Sequence, residues 1–458
     1  MLVKINQRLK DIYSVILKQK VVFKTYSRVW VSLVILILLT ATGWCVYLHY
    51  AKGMIWADWT GFGSYTGTLL QDQRSKTLWD WMELLIIPIV LTVGGFFFNW
   101  AEKRNDQSVA KQKFEDEQKN SQDQQQETAL KNYLDRLTVL LLDKGLANAQ
   151  NDTAKDHLSV KNSCIIARTL SLTTLKKLNP ERKQSLLLFL YEAKLISGND
   201  PTIDLTGANL SEVNLSGKVL KEINLTGVCL NGTNFESANL TKGSFTGAEM
   251  FGAKLNYATL TGAYLQKVQF NKAALFRDLH LNNADLSQTK LERVTLVDSE
   301  LKGANLQNTK MKRATIINVY LNEAILTETD LTQANIRESH MEKATMNWVV
   351  LNGATLFNVI LSEANIEDAQ LNNTTFVECN LSYVKLNRSK MQNVDLKRAN
   401  LMGARLVGAD LTGAQLQGSN LSYADLTAAG LAGANLTGAD LNGTIMPDGQ
   451  VCYENSKG

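Results

Sequence analysis

From Leu205 a large apolar residue stands at every fifth position as far as Leu275. After one six-residue step the series resumes at Leu281 and runs to Met446. These 49 positions hold 36 Leu, 6 Met, 4 Phe and 3 Ile. Two residues before them runs a second, smaller set, Ala at 24 of the 49 and Val, Thr, Ser or Cys at another 20. Neither the 3.6-residue period of a helix nor the two-residue period of a strand produces this pattern, so it predicts a repeat array. The step at 275–281 predicts a bulge around Arg277–His280, which could aim His280 at a ligand. Lys218 occupies one of the small positions, where an unpaired charge would be costly if buried, and predicts a local route outward.

The units GANL, SANL, GADL, YADL and TGADLNG resemble the pentapeptide-repeat family, A-(D/N)-L-x-x, over residues 202–447. The resemblance implies a right-handed quadrilateral β-helix with four pentapeptides per coil, in which the central Leu and the small residue before it point inward. The charges support four units independently. Stacked residues should then lie 20 apart and prefer opposite charge. Within 281–446, separation 20 gives eight opposite pairs, among them Lys343–Glu363 and Asp368–Arg388. Three pairs are alike: Lys290–Lys310, Arg293–Arg313 and Lys385–Arg405. Separation 15 gives three opposite and seven alike. Forty-nine units then make about 12 coils, a rod of roughly 60 Å.

The upstream sequence has a different texture. Residues 1–28 are basic, and 29–48 form a charge-free run long enough to span a hydrocarbon core. Residues 84–101 form a second such run, LLIIPIVLTVGGFFFNWA, bracketed by Trp79, Trp81 and Trp100. The pattern predicts a two-helix transmembrane hairpin, with spans 29–50 and 84–101 joined by a short extracytoplasmic loop, 51–83. The excess of Lys/Arg outside that loop puts both termini in the cytoplasm. The implied location is an inner (plasma) or thylakoid membrane, multi-pass. Residues 102–127 are polar throughout and read as a helical neck or linker. Apolar residues at three- and four-residue steps predict a small α-helical capping domain over 128–200, with Asn179-Pro180 opening its last helix. The β-helix occupies 201–447 and a tail 448–458. The fold expected is therefore a membrane-anchored all-β solenoid preceded by a hairpin and a cap. The upstream segments, among them DWTGFG and YLDRLTVLLLDKGL, also resemble the front half of membrane-anchored pentapeptide-repeat proteins of cyanobacteria.

Composition narrows the chemistry. The chain of 458 residues has only four prolines, and none falls between 202 and 446, which keeps backbone N–H groups available to a ladder. Five cysteines without a CxxC indicate neither a disulfide framework nor a zinc site. Four His lie at 49, 157, 280 and 340, and no P-loop, G-x-S-x-G or H-E-x-x-H occurs, so no catalytic residue, cofactor or metal is expected. Some family members bind topoisomerases as acidic rods resembling duplex DNA. Residues 201–458 hold 25 acids and 22 bases, too mixed for such a mimic, and no nucleic-acid partner is expected.

The candidate interaction residues are therefore of four kinds. Trp56, Trp59 and Phe62 lie in the loop. Gly94 and Gly95 would let helices approach closely and suggest a homo-oligomer. His280 marks the irregular step. Arg293 and Arg313, with Lys290, Lys310 and Lys312, form a basic patch that could bind anionic groups, although Glu292 and Asp330 beside it favour a solvated face. The function expected is a non-catalytic membrane-anchored scaffold whose rod binds protein partners and whose spans bind the bilayer. The alternative is a subunit of an oligomeric membrane assembly with a transport or signalling role.

Overall fold

The computed structural model describes residues 78–142, 146, 158–271 and 274–453. The chain divides into two compact units, Met1–Gln118 and Lys119–Gly458. Three helices lie among the described residues: α1 (Leu78–Leu142), α2 (Leu158–Leu175) and α3 (Pro180–Glu192). Short strands follow: β1 (Leu275–Arg277), β2 (Thr295–Val297), β3 (Thr315–Ile317), β4 (Asn335–Arg337), β5 (Thr355–Phe357) and β6 (Thr375–Val377). A final antiparallel pair joins β7 (Thr444–Ile445) to β8 (Val451–Cys452).

The expected membrane anchor is corrected. Among the described residues no helix is long and apolar enough to cross a membrane. The second expected span, 84–101, belongs to the 65-residue α1, which runs without a break into the polar segment after it. The apolar run is thus one end of a mostly polar helix. The first expected span, 29–50, lies outside the described residues. The multi-pass membrane location with cytoplasmic termini loses its support with the hairpin.

In the second unit, α3 begins as its sequence dictates. The Asn179 side chain accepts the Arg182 N–H at 2.9 Å and Pro180 fills the first helical position. Arg182 reaches back to Asp123 at 3.0 Å and Glu127 at 3.4 Å on α1. The Tyr133 hydroxyl lies 2.8 Å from the Ser171 hydroxyl on α2, and burial pushes its pKa up to about 12. Leu186, Leu187 and Leu190 of α3 are buried in one continuous core with the inward residues of the solenoid. Backbone bonds tie the two together: Ile203 N–H donates to Leu195, and Asn224 N–H to Ile196, each at 2.8 Å.

The solenoid has four sides. Parallel bridges join residues 20 apart in four ladders, for example Asn209–Cys229, Asn214–Asn234, Val219–Asn239 and Asn224–Ser244. The Leu series and the small residues before it are buried almost throughout. Buried hydroxyls at the small positions find carbonyls across the wall, as when Thr329 donates to Leu306 at 2.8 Å and Thr374 to Leu351 at 2.9 Å. The consensus Asn or Asp braces its own turn. Its Oδ1 accepts the N–H two residues on, as Asp410 does from Thr412 at 3.1 Å and Asn420 from Ser422 at 3.0 Å. The second residue after each large inward one takes a left-handed backbone, whether Gly207 (φ 82), Arg293 (φ 59) or Trp348 (φ 57). The five-residue pattern of apolar positions does not disclose that corner.

The extent of regular sheet also differs from expectation. Strands β1–β6 form one six-stranded parallel sheet covering about five turns, not the 12 coils expected, and outside it the ladders are single bridges. Corner chemistry varies along the array. Most corners close on themselves, as Ala304 N–H does on Leu301 at 3.0 Å. On the sheet side Leu279 N–H donates instead to Ser299 Oγ at 3.1 Å and Val319 N–H to Ser339 Oγ at 3.2 Å, and on a side without strands Ala369 N–H donates to Ser389 Oγ at 3.1 Å.

The extra residue does not sit at Arg277–His280. Ladder partners are 21 apart at Thr259–His280, Tyr264–Asp285 and Gln269–Lys290, and 20 apart again at Leu275–Thr295. The insertion therefore falls between Phe270 and Leu275. Phe276, 4% exposed, points inward in place of Leu275, which is 53% exposed. Phe270 and Phe276 meet edge to face at 5.1 Å and leave an apolar cavity of about 10 Å³, less than one water. Lys218 resolves as expected: its backbone keeps the ladder while its side chain is exposed.

Several solenoid carboxylates are held below the usual range. Asn282 does this for Glu300, Arg388 for Asp368, and Thr412 with Gln392 for Asp410. Burial opposes the effect at Asp330, but bonds from Thr332 and Lys312 outweigh it. A carboxyl whose folded pKa is depressed stabilises the fold above its unfolded pKa, and that stability is lost as pH falls through the folded value. The denaturation midpoint should be level from about pH 6 to 8 and should drop below about pH 4.

Candidate interaction surfaces of the solenoid

Each side takes its label from its inward residues: side A from Leu281, Leu301 and Leu321, side B from Leu286 and Leu306, side C from Leu291 and Met311, side D from Phe276 and Leu296. Outward residues of successive coils stack in columns, so their chemistry adds along a side.

On side A one column runs Thr259, His280, Glu300, Tyr320, His340. His280 Nδ1 lies 3.3 Å from Glu300 Oε2, which also accepts from Asn282 at 2.7 Å. Tyr320 and His340 stack at 4.9 Å with planes 8° apart, and His340 Nδ1 lies 3.2 Å from Glu342. His280 is thus a regular ladder residue engaged with Glu300, and the irregular step upstream of it does not aim it. At the corner after side A, the Tyr383 ring covers Gly403, where an added Cβ would come within 2.6 Å of it at a backbone of φ 65. Tyr423 covers Gly443 in the same way. These Tyr–Gly pairs 20 apart, and the exposed Trp348 at 53%, escape a reading that follows charges alone.

On side C, Lys290 and Lys310 are ladder neighbours, and Arg293 and Arg313 occupy the following corner one coil apart. All four are exposed. Lys312 pairs with Asp330 at 3.2 Å. On side D, the sheet turns Thr295, Thr315, Thr355 and Thr375 outward beside Val297, Ile317, Phe357 and Val377.

The remaining candidates are not brought to these surfaces. Gly94 and Gly95 lie on α1 with nothing within 4 Å of a built Cβ, among exposed Phe96, Phe97 and Phe98. Trp56, Trp59 and Phe62 lie outside the described residues. Among the described residues no group of three His, Cys, Asp or Glu could hold a metal. Acids and bases on the solenoid engage one another instead: Lys343–Glu363 at 3.8 Å, Arg388–Asp368 at 2.7 Å and Lys302–Glu323 at 3.5 Å.

Cys379 sits inward at the corner from side D to side A, 3% exposed, where burial pushes its thiol up to about 11. The thiolate is the reactive form, so Cys379 should resist maleimide at pH 7.5 while half-exposed Cys229 and Cys452 react. Peptide mapping by mass spectrometry, before and after denaturation, reads this directly.

Comparison with known proteins places the array. A family model for pentapeptide repeats (8 copies) matches residues 203–241, 244–277, 280–316, 317–353 and 409–446. A model for the pentapeptide repeat region matches 349–426. No curated protein matches the sequence. Among solved structures, HetL from the cyanobacterium Nostoc sp. is similar at 25% identity over 58% of this chain and 98% of its own, with a TM-score of 0.26. A pentapeptide repeat protein of the Arabidopsis thaliana thylakoid lumen is 22% identical over 20% of this chain and 64% of its own, TM-score 0.20. The plasmid-mediated fluoroquinolone resistance protein QnrB1 is 19% identical over 37% of this chain and 92% of its own, TM-score 0.20. Five-residue periodicity, 20-residue ladders and both family models converge: the chain belongs to the pentapeptide-repeat family.

Proposed function

We propose that the protein is a non-catalytic interaction platform whose solenoid binds protein partners on its outer sides. The observation that carries this reading is the division of the wall. Inward positions are closed by apolar packing to about 10 Å³ of free space at the insertion, while polar, charged and aromatic side chains stand in columns outside. A stacked column repeats its chemistry every coil and offers an extended surface, which suits a macromolecular partner better than a small substrate. The acid–base pairs Lys302–Glu323, Lys312–Asp330, Lys343–Glu363 and Arg388–Asp368 join adjacent coils, which accounts for them as structure. The mixed sign of the columns favours this reading over mimicry of DNA, which requires a sustained negative field.

Affinity capture with the full chain as bait, followed by lysine crosslinking and mass spectrometry, tests the proposal. Crosslinks from partner proteins should map to Lys302, Lys343, Lys385 and their neighbours. Partner crosslinks confined to residues before Lys119, or turnover of a small molecule by the purified chain, would overturn it.

A further inference from the structure

We propose that the basic patch at the corner of sides C and D is the docking site for an acidic helical segment of a partner protein. The inference rests on the interaction-platform reading and gives one of its surfaces a partner chemistry. It begins with an exception. Elsewhere on the array, residues one coil apart tend to carry opposite charges and meet, as Arg388 and Asp368 do at 2.7 Å. Two of the three like-charged pairs within 281–446, Lys290–Lys310 and Arg293–Arg313, fall on the same two coils and the same corner. Like charges on neighbouring strands are destabilising unless something offsets them.

The structure shows that the nearby acids do not offset them. Asp330 is committed: its Oδ1 takes the N–H and hydroxyl of Thr332, and its Oδ2 takes Lys312. Glu292 has an interaction of its own. Lys290, Lys310 and Arg293 have no acidic partner among the described residues, and Arg313 donates to the neutral Gln333 at 2.9 Å. Two ammonium and two guanidinium groups are therefore left exposed in two adjacent coils. Beside them opens a cleft of about 260 Å³ lined by Phe251, Gln269, Phe270, Asn271, Lys290 and Glu292, able to take an apolar side chain next to the charges.

Spacing selects the form of the partner. Cations on successive coils repeat at the strand spacing of about 4.8 Å. An α-helix laid along the coils repeats its side chains every turn, about 5.4 Å. An extended strand repeats on one face only every 6.6–6.8 Å or so, which misses the second coil by about 2 Å. Carboxylates at i and i+3 of a helix, about 4.5 Å apart along its axis, thus meet both coils, with guanidinium forks able to take them bidentately.

The test uses the full chain and a fluorescein-labelled alanine-based helical peptide with Glu at every turn and one Leu. It is titrated beside a peptide of the same composition whose helix is broken by a central proline, and beside duplex DNA. The variants Lys290→Glu/Lys310→Glu and Arg293→Glu/Arg313→Glu should each weaken the helical peptide by more than about tenfold. Lys385→Glu/Arg405→Glu, the third like-charged pair, carries the same change in net charge and should leave binding unaltered. The Glu variants are compatible with the fold, since Glu323, Glu338 and Glu363 already occupy this kind of left-handed corner and Glu249 and Glu300 already stand at outward ladder positions. Equal losses in the control variant, equal binding of the broken helix, or a preference for DNA that depends on the same four residues would each overturn the proposal. If crosslinks to captured partners still map to the solenoid while the patch variants bind the peptide normally, the docking site falls and the platform reading stands.

Discussion

Phe276→Ala should destabilise the solenoid by about 3–5 kcal/mol, while Leu275→Ala should change it by less than about 0.5 kcal/mol. The two residues are adjacent and similar in hydrophobicity, but the insertion before them decides which one is inside. Phe276 fills the widened coil with Phe270 at 5.1 Å, and the space left over is about 10 Å³. Removing its ring opens a cavity that the neighbouring Leu265, Leu281 and Leu296 cannot close without breaking their own ladders. Leu275 faces solvent, so its truncation removes little buried surface. Repeat arrays can unfold in parts, so the effect is best read from native-state hydrogen exchange of the Leu260, Leu281 and Leu301 amides, alongside the chemical denaturation midpoint. Equal effects at 275 and 276 would show that the insertion lies elsewhere.

Thr355→Pro should cost at least about 3 kcal/mol and open the coils on both sides of it. Thr355 lies in β5, a central strand of the sheet, and its N–H donates to Ala334 at 2.9 Å. Proline removes that donor and puts its ring against the preceding coil. Pro180 does no such harm, because the first position of a helix has no bond to lose. The same loss explains why proline is absent from 202 to 446. Faster exchange at Asn335 and Thr375 in the variant, with little change at Leu210, would locate the damage to the neighbouring coils. An unchanged stability would contradict the ladder on this side.

Much of the array is legible in the sequence because each inward position is set by two residues alone. A large apolar residue and a small one, five apart from the next pair, leave little alternative to a closed coil, and stacked charges then give the number of sides. What the series cannot decide is the place of the extra residue, since Leu275 and Phe276 satisfy an apolar position equally well. The backbone turns Phe276 inward because the larger ring fills the wider coil. Sheet extent is hidden for a different reason: the strands pair across coils, between residues 20 apart, and the five-residue pattern reads the same on all four sides. The hairpin is not supported, since among the described residues no helix is long and apolar enough to cross a membrane. Of the site candidates, Arg293 and Arg313 gain meaning from the stacking of like charges, and His280 takes a place in a regular ladder. The Tyr–Gly corners leave no signal in a charge pattern.

All of the surface columns beyond the insertion depend on one claim: coils repeat every 20 residues, and every 21 across residues 271–274. Paired cysteines test it most directly, because outward ladder neighbours approach within disulfide range while inward residues face the core. The account predicts that Thr259→Cys with His280→Cys oxidises readily to a disulfide in the folded chain, and that Thr259→Cys with Leu279→Cys does not. A disulfide formed only by the 259–279 pair would contradict the register and move every residue of the proposed surfaces.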